Sequence, residues 1–278
     1  MPGNRDKQGD TIMHGKNNHL GPALFILAFC LVFSVARPAL AHFGAVIPSR
    51  TMLDQSHRQL TVLFAFTHPF EQHSMTLERP QKAAVMNMET QQEEIITSKL
   101  RPADHLGHKA WQVAYKVKRP AVYCIYMIPR PYWEPAEDCY IKHVTKTYIA
   151  AYGAEEGWEK PLGLETEIVP VTRPFGLYAG NVFRGRVYLK GKPAANRRVE
   201  IEYYNRGGKL KPATEYMVTQ VVRTDDRGFF SYSPPAPGWW AFAALSDADY
   251  TISHDGKPKD LEIGAVMWVK FLPWPAGK

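Results

Sequence analysis

Short apolar or alternating runs recur along the whole chain, and none of them continues into a long helical stripe. Gln59–Thr67 (QLTVLFAFT), Ala110–Val117, Ala121–Ile128 and Tyr140–Ile149 are rich in Val, Ile, Tyr, Phe and Thr, and each is bounded by proline, glycine or polar breaks. That composition and spacing predict β-strands. Residues 155–163 (EEGWEKPLG) read as a loop, and Leu164–Arg173 reads as a strand leading out of a first unit at Pro174-Phe175-Gly176. Beyond Gly180 the pattern is more regular. Asn181–Leu189, Arg197–Tyr204, Met217–Thr224 and Phe229–Ser233 predict strands joined by turns at Lys190-Gly191, Arg206-Gly207-Gly208 and Asp225–Gly228, and Ile263–Phe271 predicts the last. The expectation is an all-β fold of two tandem β-sandwiches of immunoglobulin-like or transthyretin-like type, over residues 42–174 and 175–278.

The first 41 residues have a different character. Ala23–Ala36 is an apolar run preceded by Lys16 and followed by Ala39-Leu40-Ala41, small residues of the kind a signal peptidase needs. The run falls short of the roughly 20 residues that span a bilayer, so residues 1–41 are expected to be a cleaved signal peptide, with initiation at Met1 or Met13. Export to the periplasm follows as an expectation. The mature chain would run from His42 to Lys278, 237 residues with no second hydrophobic span.

The formal net charge is +7, and removal of four basic and two acidic leader residues leaves +5. No dense basic patch interleaved with aromatics occurs, which argues against nucleic-acid binding. After loss of Cys30 only Cys124 and Cys139 remain. An even pair in an exported chain predicts a disulfide, closing a loop of about 15 residues. Metal binding by the pair is the alternative, although the spacing matches no common zinc pattern.

Cleavage after Ala41 would expose a terminal histidine, whose α-amine and imidazole offer a metal ion two nitrogens from one residue. His68 extends the face of Val62, Phe64 and Phe66 at the end of its strand, and His143 shares a face with Cys139, Ile141 and Thr145. Each is a ligand at a core rim or a core histidine satisfied by hydrogen bonds. His73 is a ligand or a loop side chain, and Glu71 a further carboxylate or an exposed charge. His105 and His108 read as solvated loop residues, and His57 and His254 as surface residues without a partner nearby in sequence. Nitrogen donors without thiolate suit Ni2+, Co2+, Cu2+ or Zn2+.

Hydrolytic signatures are missing: there is no G-x-S-x-G elbow, H-E-x-x-H pair or phosphate-cradling glycine loop. Asp225-Asp226-Arg227-Gly228 reads as a hairpin turn, and Trp239-Trp240 as a pair divided between core and surface.

The order Gly185-x-Val187, a GKP turn, VEIEYY, TDDRGFFSY and GWWAF resembles the transthyretin-like or carboxypeptidase-regulatory-like sandwich. The stretches AHFG, THPFEQ, CYIKHVTKTYI, PLGLE and TRPFGLYAGN resemble periplasmic components of nickel or cobalt uptake systems, a family otherwise described as a domain of unknown function. The resemblance implies a non-enzymatic carrier of Ni2+ or Co2+, with His42, His68, His73 and His143 as ligands and a membrane metal permease as partner. The alternatives are a metal-free structural or adhesive envelope module, and a copper-dependent oxidative enzyme with an N-terminal histidine site.

Overall fold

The computed structural model describes residues 42–275. The expected leader and its cleavage after Ala41 lie outside the described residues. Those described belong to one compact unit and are all-β, with two single-turn 3-10 segments. In chain order the strands are β1 (Phe43–Pro48), β2 (Met52–Leu53), β3 (Gln59–His68), β4 (His73–Met75), β5 (Lys82–Asn87), β6 (Glu93–Ile95), β7 (Arg101–His105), β8 (His108–Lys116), β9 (Ala121–Ile128), β10 (Tyr132–Glu134), β11 (Cys139–Ala151), β12 (Thr166–Pro170), β13 (Leu177–Tyr178), β14 (Phe183–Leu189), β15 (Lys192–Pro193), β16 (Arg198–Tyr203), β17 (Gln220–Arg223), β18 (Phe229–Tyr232), β19 (Gly238–Asp247), β20 (Ile252–His254), β21 (Lys257–Lys259) and β22 (Leu261–Leu272).

An 11-stranded sheet in the order β17-β16-β19-β22-β11-β9-β5-β6 is the spine of the molecule, with β10 and β2 on β11 and β13 on β22. Its central joint is a parallel pairing of β11 with β22, in register from Tyr140 opposite Leu261 to Thr147 opposite Trp268. The sheet therefore runs across the boundary expected near residue 174. A five-stranded sheet (β1-β3-β8-β7, with β4 on β3) and a four-stranded sheet (β12-β14-β15, with β18 on β14) pack against it.

Side-chain alternation explains which face each strand gives to which layer. On β3, Val62, Phe64 and Phe66 enter one core with Ile125, Met127 and Ile149 of the large sheet. The opposite face of the five-stranded sheet places Ala45, Ala65 and Phe43 against Ala241, Ala243, Val266 and Trp268. The far side of the large sheet gives Cys124, Tyr148, Met267 and Phe242 to a third core shared with Phe183 and Val187. Strands buried on both sides read as continuous apolar runs, as Ala121–Met127 does. Buried within these layers, Lys146 Nζ and Glu167 Oε2 stand 2.7 Å apart, each side chain 2% exposed.

Gly44 is small because β1 passes close to β11. A Cβ there would lie 2.1 Å from Thr145 Oγ1, and the Gly44 carbonyl accepts a hydrogen bond from Trp268 Nε1 at 2.7 Å.

The expected disulfide is overturned, since Cys124 and Cys139 are both free thiols. Cys124 lies opposite Tyr148 in the β9–β11 register, and Cys139 is nine residues further back along β11. At about 3.3 Å per residue that is on the order of 30 Å, whereas a bridge needs Cα atoms within about 7 Å. The two thiols also face different cores. Burial pushes the Cys124 thiol up to about 12. Trp240 is buried, with Nε1 donating to the Ala236 carbonyl at 3.0 Å, whereas Trp239, expected at the surface, is half-buried against the core between the five-stranded and large sheets. Asp225 caps its turn by accepting from the N–H groups of Arg227 and Phe229. No helix among the described residues is long and apolar enough to cross a membrane.

Candidate functional site

Strand register alone gathers most of the expected histidines. His42 immediately precedes β1, and because Phe43 pairs with Thr67 it comes alongside His68, with ring centroids 4.5 Å apart. His68 in turn pairs with His73 across the β3–β4 hairpin, where the rings stack at 5.7 Å. His73 meets His108 of β8 edge-on at 5.8 Å. Pro69 ends β3, and Gln72, at φ +58°, completes the turn.

His143 arrives from the large sheet. It is buried on β11, edge-on to Phe66 at 5.9 Å, and Gly264 on the adjacent strand makes room for its ring. A Cβ at Gly264 would stand 2.4 Å from His143 Cδ2. His42 and His143 look into one cavity.

Two carboxylates that the sequence did not single out complete the site. His42 Nε2 lies 3.0 Å from Glu134 Oε2, and His143 Nε2 lies 3.3 Å from Glu262 Oε1. Burial, followed by the neighbouring His143, lowers the His42 pKa, against the opposing pull of Glu134. Burial alone would raise Glu262, but His143, His42 and Arg198 hold it below the ordinary carboxylate value. Glu71 takes neither partnering role, and burial raises its pKa. Local patterning carries no sign of these partners, because Glu134 sits among prolines, held by its hairpin pairing with Cys139, and Glu262 lies in an apolar strand brought in by pairing with distant β11.

Other histidines also depart from expectation. His105 is buried near Tyr204. His254 stacks on Trp133 at 3.8 Å and hydrogen-bonds Tyr140 Oη at 3.0 Å. His57 is on the surface as expected, where it joins Asp54, three residues before it.

Among the described residues, no group of three or more His, Cys, Asp or Glu side chains is arranged to hold a metal ion. The expectation of such a side-chain cluster at His42, His68, His73 and His143 is corrected accordingly. The His68 and His73 rings stack and the His42 ring is tilted against His68, while the Nε2 atoms of His42 and His143 each lie beside a carboxylate.

Fold and site together define an all-β, multi-sheet module of sandwich type with a histidine and carboxylate rim. The chain belongs to the family described as a domain of unknown function, DUF4198, whose model matches residues 39–248. No curated protein matches it. Among solved structures it is similar to the D0-D1 domain of intimin, at 11% identity and TM-score 0.21, over 82% of this chain and 99% of that one. It is similar to trypsin-activated alpha-2-macroglobulin from Escherichia coli at 11% identity and TM-score 0.25, over 83% of this chain and 16% of that one. A carbohydrate-binding protein described as such provisionally, from Bacteroides uniformis, matches at 11% identity and TM-score 0.22, over 80% and 96%.

Proposed function

We propose that this chain is an exported, non-enzymatic β-sandwich module of the cell envelope, with a structural or adhesive role exercised by holding a partner on its surface. The observation that carries this reading is the connection between β16 and β17. Leu210, Tyr216 and Met217 are exposed there, Tyr216 to 91%, with exposed Val221 on β17 following, all within twelve residues. Large apolar side chains grouped on a surface mark contact sites, whereas scattered ones need no explanation. Arg206, Lys209 and Lys211 beside them supply positive charge suited to an anionic envelope surface.

The root of this connection is pinned. Buried Asn205 donates from Nδ2 to the Phe70 and Leu210 carbonyls and accepts from the Leu210 N–H. The Gly207 N–H donates to Gln72 Oε1 at 3.0 Å. Co-sedimentation with envelope fractions of a Gram-negative bacterium tests the reading. A Tyr216→Ser/Met217→Ser variant should be retained about tenfold less, in line with the loss of contact-centre aromatics; equal retention would retire the proposal.

A second reading, accessory carriage of nickel or cobalt to a membrane permease, has one specific observation in its favour: the β1–β3 register seats the His42 ring 4.5 Å from that of His68. Because no side-chain group among the described residues holds an ion by itself, this reading needs the α-amine that cleavage before His42 would free. Calorimetric titration with Ni2+, Co2+, Cu2+ and Zn2+ compares a chain starting at His42 with one carrying an extra alanine before it. Tight binding by the first and not the second would support carriage, and equal behaviour of the two would exclude it.

A further inference from the structure

Beside His42 lies a cavity of about 480 Å³ bordered by β17, β16, β19, β22 and β11, within the roughly 300–1,000 Å³ of small-molecule sites. Its wall carries Arg198, Glu200, Arg223, Asp247 and Glu262, which strand alternation places on one face of the large sheet.

The charges around the cavity are sorted by strand. Arg198 stands directly opposite Arg223 in the β16–β17 register. Like charges so placed cost stability in the absence of a shared counter-charge. Glu200 meets Arg198 at 2.8 Å, whereas Arg223 reaches only the Asn196 carbonyl, at 3.3 Å. At the other side, Asp247 is opposite Glu262 in the β19–β22 register. The β16–β17 side of the cavity therefore carries two guanidinium groups against the one Glu200 carboxylate, and the β19–β22 side carries two carboxylates. Glu262 is three strands from Arg223, about 14 Å between backbones at roughly 4.8 Å per strand.

We propose that this cavity binds a small zwitterion, an α-amino acid or short peptide with free termini. Arg198 and Arg223 take its carboxylate, and Asp247 and Glu262 take its ammonium group. Guanidinium forks suit carboxylates in particular, since they donate two parallel hydrogen bonds. This inference is independent of the docking segment at Tyr216, and retention on envelopes is unaffected by its outcome.

The test is a thermal-shift screen of the full mature chain against the standard L-amino acids and a set of dipeptides. Calorimetry of the best probe follows, beside its N-acetyl and C-amide forms. The expected result is one-to-one binding that weakens at least tenfold when either terminus is blocked. Arg223→Gln and Asp247→Asn, both at exposed positions, should each weaken binding about tenfold while leaving the fold intact. No binding by any zwitterion, equal affinity for blocked probes, or wild-type affinity in both variants would overturn the proposal.

Discussion

Glu202 allows a stringent check on how burial sets charge in this sheet. Its side chain is fully buried on β16, where Oε1 accepts from the Thr219 hydroxyl at 2.5 Å and Oε2 from the Phe70 N–H at 3.3 Å. Burial raises its pKa from the ordinary 4.5 to about 8, with Glu71 adding repulsion. A carboxyl so raised keeps its proton in the fold over a pH range where the unfolded chain has lost it, so its stabilising contribution is complete below the ordinary value and falls as pH climbs toward 8. At about 1.36 kcal/mol per pH unit, the cost at pH 7 is roughly 3 kcal/mol, and below about 1 kcal/mol at pH 5. Glu202→Gln keeps the shape and removes the titration. Urea unfolding of both proteins at pH 5, 6, 7 and 8 should show a stability difference that moves in the variant's favour by about 2–3 kcal/mol between pH 5 and 7. A difference that stays constant with pH would show that Glu202 ionises normally, and the argument from burial would fail.

Three further outcomes are expected. Lys146→Met alone leaves Glu167 charged and buried and should cost about 3–5 kcal/mol in chemical denaturation, most of it recovered in the Lys146→Met/Glu167→Gln double variant. Gly44→Ala should cost about 1–3 kcal/mol through overpacking against Thr145, and Thr145→Ala should relieve part of that in a double-mutant cycle. Alkylation in non-reducing denaturant followed by mass spectrometry should label both Cys124 and Cys139, and dithiothreitol should leave the melting temperature unchanged; protection of the pair would contradict their separation in the sheet.

The strands were readable from local pattern because alternation and β-branched content report directly on half-buried or fully buried backbone. Ala121–Ile128 was read with its observed limits, and Gln59–Thr67 and Ile263–Phe271 within one or two residues of theirs. What pairs with what is a different matter. An even cysteine pair in an expected exported chain predicts the Cys124–Cys139 bridge, yet β9 and β11 run antiparallel and keep the two thiols far apart along the sheet. His42 and His68 were expected to share a site, and the pairing of Phe43 with Thr67 does bring them together. The carboxylates that occupy their surroundings had no local signature, since Glu262 reaches His143 only through a pairing 119 residues away along the chain.

The parallel joint between β11 and β22 also dictates when the molecule can become itself. Parallel neighbours require a crossover, and here the intervening crossover is the whole second half of the chain, so β11 waits for a strand made more than a hundred residues later. Contacts of such sequence separation slow folding and leave unpaired strand edges open to misassociation in the interval. As the chain is made, N-terminus first, the leading half emerges with the edge of β11 still without its neighbour. A chaperone that covers this edge until Leu261–Leu272 arrives would decide the yield of native protein, and shortening the chain within β22 would unfasten both halves at once.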